Sequence, residues 1–177
     1  MQIPLMTSGL RLVPLRKTDL DRLITLLSEP GVCRYLCDGE ILPPDAVVTL
    51  IDRSLELAST GLGLWSIEKE CSLWLGCVGL YPASEAAVAA RPDFAGEVKP
   101  VIALHEWAWG EGYAAEALDT VLAHAFGSLR LSRLVALVDE PNTRSHALME
   151  RTGFRMIGVG TRPRYTLRAY ENRFQSG

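Results

Sequence analysis

The most regular pattern of apolar residues in the chain lies between Tyr113 and Phe126. Residues of one face recur at steps of three and four positions, and they are Ala114, Ala117, Leu118, Val121, Leu122 and Ala125. This spacing predicts an amphipathic helix with one buried face. Weaker patterns predict three more helices, over residues 18–27, 45–58 and 142–153. Thr18 is predicted to cap the first of these, and Gly153 to end the last in a left-handed conformation.

Runs of apolar and β-branched residues between these helices predict seven strands. They cover residues 10–15, 64–69, 73–81, 97–104, 134–138, 154–159 and 164–170. The near-continuous apolar run in strand 97–104 predicts burial on both faces in the middle of a sheet. Residues 28–31 are predicted to stop the first helix, and residues 82–96 to form a connection with room for a helical turn. The order βααβββαβαββ predicts a single α/β domain of the mixed α+β kind over residues 1–177, with one mixed sheet.

The composition is that of a globular chain with a slight excess of negative charge. Its 177 residues suit one domain, and 48% of them are hydrophobic. The net charge of −3 argues against binding to the phosphate backbone of a nucleic acid and suits a cationic or amine substrate. No apolar run reaches the roughly 20 residues of a membrane span, so we expect a soluble protein with no membrane partner.

The cysteines and histidines predict no special chemistry of their own. Cys33, Cys37, Cys71 and Cys77 form no CxxC pair, and the sequence begins without a signal peptide. We therefore expect reduced thiols in a cytoplasmic protein. The three histidines do not cluster with the cysteines in the sequence, so no zinc site or other metal is expected.

The segment that leads into the clearest helix, residues 104–114, is here called the glycine turn. Gly110, Gly112 and Ala114 allow a ligand to approach the backbone closely, and the first amides of a helix have no intrahelical acceptor. Together with the helix dipole, these amides favour an anion such as a pyrophosphate. A turn in which the glycines serve geometry alone is the alternative. The third glycine of a dinucleotide fingerprint and the Gly-Lys-Ser/Thr ending of a nucleotide-triphosphate loop are both absent.

Two motifs in this order resemble those of the GNAT superfamily of N-acetyltransferases. Residues 109–118 are similar to its acetyl-CoA pyrophosphate motif, Q/R-x-x-G-x-G/A, with Trp109 in place of the leading residue as in the ribosomal-protein-alanine N-acetyltransferase branch. Residues 142–154 resemble the N-x-x-S-x-x-x-x-E-K-x-G-F signature of that branch. The resemblance covers nearly the whole chain and implies a central, mostly antiparallel mixed sheet flanked by helices.

The resemblance also implies a site for acetyl-CoA as co-substrate, without a metal. The residues expected to hold its pyrophosphate are Trp109, Gly110, Glu111, Gly112, Tyr113 and Ala114. The pantetheine arm is expected to bind the strand backbone at Ile102, Ala103 and Leu104. Asn142 is expected to contact this arm, with an ordinary helix N-cap as the alternative. Ser145 is expected to protonate the departing CoA thiolate, with a solvated first-turn serine as the alternative.

The proton acceptor for the amine is the least defined part of the expected site. Many relatives carry a glutamate on the central strand, but the matching position here is Lys99. Glu97 lies two residues away on the same strand face and is predicted as the base. An ion pair between Glu97 and Lys99 is the alternative. Glu106, near the glycine turn, is a further candidate for the base and is equally consistent with a solvated loop charge.

The resemblance implies transfer of an acetyl group to a primary amine by direct attack. The acceptor is a protein N-terminus or a small amine, and a homodimer is compatible with this function. The alternative is a non-catalytic module that binds acyl-CoA. Four aromatic residues, Trp65, Trp74, Tyr81 and Trp107, are candidates for the acceptor pocket but are more commonly core residues. Arg162, Arg164 and Arg168 are interpreted as a solvated face, with phosphate contact as the alternative.

Overall fold

The computed structural model describes residues 1–37, 39–161 and 166–174. The helices are α1 (Leu20–Leu27), α2 (Pro30–Leu36), α3 (Pro44–Leu57), α4 (Glu85–Ala90), α5 (Tyr113–Ala123) and α6 (Thr143–Arg151). The strands are β1 (Leu5–Met6), β2 (Arg11–Pro14), β3 (Gly63–Lys69), β4 (Leu73–Pro82), β5 (Val98–Leu104), β6 (Arg133–Asp139), β7 (Arg155–Thr161) and β8 (Thr166–Arg173).

The strands form a mixed sheet in the order β1-β2-β3-β4-β5-β6-β8-β7. β5 and β6 are parallel, whereas β1 with β2, β2 with β3, β3 with β4, β6 with β8 and β7 with β8 are antiparallel. This confirms the predicted fold class, a mixed α/β fold with a mostly antiparallel sheet.

Each predicted helix and strand is present, and β1, α2 and α4 are additional. The predicted stop at residues 28–31 ends α1 but also begins α2, with Pro30 as its first residue. Proline is tolerated there because the first amides of a helix have no intrahelical acceptor. The start predicted for the last strand, Arg164, lies outside the described residues, as does Arg162.

The predicted capping of α1 by Thr18 is wrong. Residues Lys17–Asp19 form a short 3-10 turn, and Asp19 is the residue that precedes the helix. The Asp19 carboxylate accepts a hydrogen bond from the Arg16 amide at 3.0 Å, so it caps the 3-10 turn rather than α1. The prediction from Thr18 therefore located the start of the helix correctly, but it named the wrong residue as the one that precedes the helix.

The predicted burial of the central strand on both faces is also wrong for most of its length. Val98 to Ile102 are half-buried, and only Ala103 and Leu104 are buried. The register of β5 with β6 pairs Val98 with Leu134. The middle of β5 is therefore apolar in sequence but partly accessible, which is the condition that a bound ligand requires.

The chain divides into two compact units, each with its own core. The first comprises Met1–Leu80 and Val101–Val121. Within it, α3 packs against α1 and β3. Its largest fully buried side chains are Leu12, Leu23, Leu26, Leu64, Trp65, Ile67, Leu75, Leu80 and Leu118. The core interpretation of Trp65 is thereby confirmed, and its Nε1 donates to the Ile3 carbonyl at 2.7 Å.

The second unit comprises Tyr81–Pro100 and Leu122–Gly177. Phe94, Val135 and Ala169 form a buried cluster in it. Beside this cluster Arg133 lies over the Phe94 ring, 5.7 Å from its centre, and donates to Glu171 at 2.9 Å. The prediction of one domain over residues 1–177 stays a prediction.

Candidate functional site

The glycine turn contains two glycines with positive φ. After β5 ends at Leu104, a 3-10 turn covers Glu106–Ala108 and α5 begins at Tyr113. Gly110 and Gly112 have φ angles of +84° and +86°, a region that only glycine occupies without strain. A Cβ added to either would meet no described atom within 4 Å other than those of the adjoining residues. Backbone conformation therefore requires both glycines, and the space in front of them is open.

The start of α5 presents backbone donors beside this open space. The Glu116 amide donates to the Gly112 carbonyl at 3.1 Å, which is the first hydrogen bond of the helix. The amides before Glu116 have no acceptor within the helix. The helix dipole adds positive potential at the same end. This arrangement is suited to an anion.

The Trp109 side chain closes the glycine turn on itself. Its Nε1 donates to the Leu104 carbonyl at 2.9 Å, which joins the end of β5 to the middle of the turn. The indole therefore has a structural role in the turn. Among the residues predicted to hold pyrophosphate, Trp109 is a candidate through its backbone rather than its ring nitrogen.

One edge of the β5 backbone is occupied by contacts with β4. The His105 amide donates to the Leu75 carbonyl of β4 at 3.0 Å, and a Cβ on Gly76 would lie 2.1 Å from the Ala103 oxygen. Successive residues of a strand direct their backbone groups to opposite edges. The backbone groups of Ala103 therefore point towards β4. The backbone groups of Ile102 and the amide of Leu104 point towards the other edge of β5.

Lys69 is a cation beside the glycine turn that sequence reasoning missed. Its Nζ donates to the Tyr113 hydroxyl at 2.7 Å and lies 5.1 Å from the centre of that ring. The hydrogen bond to Tyr113 is the main cause that raises the pKa of Lys69. A lysine 44 residues away along the chain carries no local signal of this contact.

Glu116 was also missed, and it attaches the first turn of α5 to the segment between β1 and β2. Its Oε1 accepts from the Thr7 hydroxyl, from Ser8 Oγ at 3.2 Å and from the Gly9 amide at 2.7 Å. The hydrogen bond from Thr7 is the largest cause that lowers the pKa of Glu116. A charged carboxylate with three donors fixes the helix start in place.

An open pocket of about 670 Å³ lies in the first unit. Its lining residues are Asp21, Arg22, Thr25, Cys71, Ser72, Leu73, Trp74 and His105. Of the four aromatic candidates for an acceptor pocket, Trp74 lines it. Trp74 is buried, and its Nε1 has no hydrogen-bond partner within the described part of the chain. Trp107 is exposed.

The start of α6 has a side-chain cap. Asn142 Oδ1 accepts from the Ser145 amide at 3.2 Å, which confirms the N-cap interpretation of Asn142. The cap uses the amide oxygen and leaves the Asn142 NH₂ group for another partner. Ser145 is half-buried in the first turn of the helix.

His146 and Tyr170 form buried hydrogen bonds at the start of α6. His146 Nε2 lies 3.1 Å from the Glu140 carbonyl and donates to it, and Nδ1 lies 2.8 Å from the Tyr170 hydroxyl. Burial is the main cause that raises the pKa of Tyr170. Both side chains are buried, so they orient the turn that carries Ser145.

Glu97 lies in a cluster of charges on the second unit. Its Oε1 is 3.2 Å from Arg133 Nη1, so Arg133 is an ion-pair partner of Glu97. Arg133 also pairs with Glu171 at 2.9 Å. Burial alone would raise the pKa of Glu171, but hydrogen bonds from Arg173, Arg155 and Arg133 outweigh it and hold the pKa at about 2.

Arg168, the described member of the three predicted surface arginines, is half-buried. It pairs with Glu140 at 3.1 Å. Over residues 1–37, 39–161 and 166–174, no group of three His, Cys, Asp or Glu side chains is arranged to hold a metal ion. Within the same ranges no helix has the length and apolar character needed to cross a membrane.

Residues 9–155 match the model of the acetyltransferase (GNAT) domain. The chain belongs to the GNAT acetyltransferase family and is an acyltransferase. It is 28% identical over 162 residues to the uncharacterized N-acetyltransferase p20 of Bacillus licheniformis, covering 88% of this chain and 84% of that protein. It is 25% identical over 155 residues to the uncharacterized N-acetyltransferase YoaA of Bacillus subtilis, covering 86% and 83% of the two chains.

The fold of this GNAT chain is similar to that of solved acetyltransferases. One is RimL, the ribosomal L7/L12 alpha-N-protein acetyltransferase, in complex with coenzyme A. The TM-score is 0.77 at 15% identity, with 98% of each chain covered. At this level of identity the likeness shows the fold alone.

Proposed function

We propose that the protein transfers the acetyl group of acetyl-CoA to a primary amine by direct attack of the amine nitrogen on the thioester carbonyl. The observation that carries this proposal is the open space in front of Gly110 and Gly112 at the start of α5. Free amides, the helix dipole and the ammonium of Lys69 all favour the pyrophosphate of the cofactor there. The structural relative RimL in complex with coenzyme A supports the same ligand.

The pantetheine arm would then extend along the edge of β5 that faces away from β4. Ile102 and the Leu104 amide have their backbone groups on that edge, and the residues before Ala103 are only half-buried. An amide near Leu104 would also donate to the oxyanion that develops on the thioester carbonyl. Ala103 would contribute through the fixed position of the strand, because its backbone faces β4.

Ser145 would act on the leaving group. When the tetrahedral intermediate collapses, the carbon–sulfur bond breaks and the CoA thiolate takes the hydroxyl proton of Ser145, which is replaced from water. Ser145 is half-buried in the first turn of α6, and the Asn142 cap engages its backbone amide rather than its hydroxyl. The Asn142 NH₂ group would contact the cofactor arm while its oxygen caps α6.

The amine must lose a proton, and Glu97 is the proposed acceptor, either directly or through a water. The ion pair with Arg133 defines the competing role, in which Glu97 stabilises the second unit. These roles differ in the pH dependence of turnover, because a base acts on the reaction whereas a structural ion pair acts on folding.

The proposed acceptor is a protein N-terminus or a small amine. The named substrate of RimL supports a protein acceptor, and the net charge of −3 suits either cation. The pocket of about 670 Å³ in the first unit is large enough for a small amine. The proposal also assigns the protein to the reducing cytoplasm, which its four free cysteines support.

The test is release of free CoA thiol from acetyl-CoA across a panel of amines and N-terminal peptides, with CoA binding measured in parallel by calorimetry. Catalysis predicts thiol release that requires an amine and yields an acetylated product of the expected mass. Binding without release for any amine would favour the alternative, a non-catalytic acyl-CoA-binding module. Light scattering of the same sample tests the predicted homodimer.

A further inference from the structure

Two glutamates from distant parts of the first unit each accept a hydrogen bond from a backbone amide in the segment that carries the other. Glu29, between α1 and α2, accepts from the Glu106 amide through Oε2 at 2.8 Å. Glu106, in the glycine turn, accepts from the Gly31 amide through Oε1 at 2.6 Å. Each carboxylate therefore bonds the segment that carries the other. We call this pair of bonds the glutamate exchange.

His105 adds a third bond to the glutamate exchange. Its Nδ1 lies 2.5 Å from Glu29 Oε1, and because a carboxylate only accepts, Nδ1 carries the proton. The imidazole stacks on Trp107 with ring centres 5.5 Å apart and meets Trp74 edge-on at 5.4 Å. The orientation of the residues that open the glycine turn is thereby fixed by polar and aromatic contacts together.

Gly31 brings the α2 start into direct contact with the turn. A Cβ on Gly31 would lie 2.6 Å from Trp109 Cη2 and 2.7 Å from Glu106 Oε1. A real Cβ does not approach atoms this closely, so a larger residue would displace the indole or the carboxylate. The same indole holds the Leu104 carbonyl. The junction of α1 and α2 therefore packs on the group that closes the glycine turn.

Glu29 and Glu106 are negatively charged, like the pyrophosphate that the turn is proposed to bind. Carboxylates near a pyrophosphate would repel it. Attraction to the cofactor therefore does not explain the presence of Glu29 and Glu106. Their hydrogen bonds to the backbone, which hold the glycine turn in place, do explain it. A turn with two glycines has much conformational freedom to lose on ordering, and charge-assisted bonds from outside remove that freedom before the ligand arrives.

We propose that the glutamate exchange is a positioning device that holds the glycine turn in its binding conformation, with Glu29 and Glu106 as positioning residues for CoA. This inference deepens the proposed function and rests on it for the identity of the ligand. The competing role is stability of the fold alone, without effect on the turn or on CoA.

The test compares two substitutions of Glu106. Glu106→Gln keeps an oxygen that accepts from the Gly31 amide, whereas Glu106→Ala removes it. We expect Glu106→Ala to raise the Kd for CoA and the KM for acetyl-CoA by about tenfold, with kcat within about twofold, and Glu106→Gln to stay within about threefold of wild type. Glu68→Ala is the control, because it also removes a glutamate, but one on β3 that forms an ion pair with Arg11 on β2.

Amide hydrogen exchange of residues 105–114 in the unliganded protein gives a second readout that needs no ligand. Faster exchange in Glu106→Ala than in Glu106→Gln supports positioning, and equal exchange in both overturns it. Gly31→Ala should act in the same direction as Glu106→Ala. Its control, Gly127→Ala, places a Cβ where no described atom lies within 4 Å.

The outcomes separate the two proposals. If wild type binds no CoA, the proposed function fails, while the exchange measurement still tests the glutamate exchange. If wild type binds CoA and Glu106→Ala binds equally well at a temperature below its unfolding, with a lower Tm, the role is structural and the inference is wrong.

Discussion

The starts of α5 and α6 differ in how their backbone amides are satisfied. At α6 a local side chain, Asn142, accepts from the Ser145 amide. At α5, within the described chain, no side chain accepts from the amides of residues 113–115, and Gly110 and Gly112, both with positive φ, precede them. One helix start is capped and presents side chains, whereas the other is uncapped and presents its backbone.

This difference assigns different chemistry to the two helices. An uncapped start with open space is suited to bind an anion, since the ligand takes the place of the cap. A capped start has an acceptor for its amide without a ligand, so it is suited to position Ser145 for its proposed role as an acid. Substitutions at the two starts should therefore affect binding and turnover separately.

The largest effect is expected at α5. Gly112→Glu places a side chain and a negative charge in the open space and imposes strain at a φ of +86°. We expect CoA binding to be lost, a change of more than about 100-fold in Kd. Calorimetry and thermal shift with acetyl-CoA measure it. Gly127→Glu is the control, and a folded Gly112→Glu protein that still binds CoA would contradict the site.

At α6 the first prediction concerns turnover alone. Ser145→Ala should lower kcat by about 10²-fold, the smaller contribution typical of a positioned proton donor, and leave the Kd for acetyl-CoA within a few-fold. Single-turnover kinetics isolate the chemical step. Thr143→Ala removes an exposed hydroxyl from the same helical turn and serves as the control. Unchanged chemistry in Ser145→Ala would move the acid role to another group or to water.

The prediction for Glu97 extends the comparison to the base. Glu97→Gln should reduce turnover at neutral pH by about tenfold, and raising the pH should restore part of it as more of the amine becomes neutral. Complete pH–rate profiles for both proteins are required. Superimposable profiles would leave Glu97 with its ion pair to Arg133 alone, whose loss costs less than about 1 kcal/mol for a partly exposed pair.

The smallest expected effect separates the two roles of Asn142. Asn142→Asp keeps an oxygen for the Ser145 amide but loses the NH₂ group and adds a negative charge, so Tm should be unchanged and the Kd for CoA should rise by about fivefold. Asn142→Ala should also lower the free energy of unfolding by about 1 kcal/mol. Equal CoA affinity in wild type and Asn142→Asp would reduce Asn142 to a cap.

Several elements could be predicted because their signals are local. The face of α5 repeats at helical spacing, and the glycines at 110 and 112 indicate a turn before its start. Asn142 three residues before Ser145 has the spacing of an N-cap bond. In contrast, the apolar run in β5 predicts a fully buried strand, because composition alone does not distinguish a core strand from one whose residues stay partly accessible.

The sequence by itself determined the family, the order of the predicted elements and the position of the glycine turn, since these depend on residues close together in the chain. Tertiary structure decided which edge of β5 is available, that the Trp109 ring closes the turn, and that Lys69, Glu116 and Glu29 support it. The bonds of these three side chains join segments 44 to 109 residues apart. Such contacts depend on how helices and strands pack, because a charged side chain has the same local pattern whether it is solvated or holds a distant backbone amide.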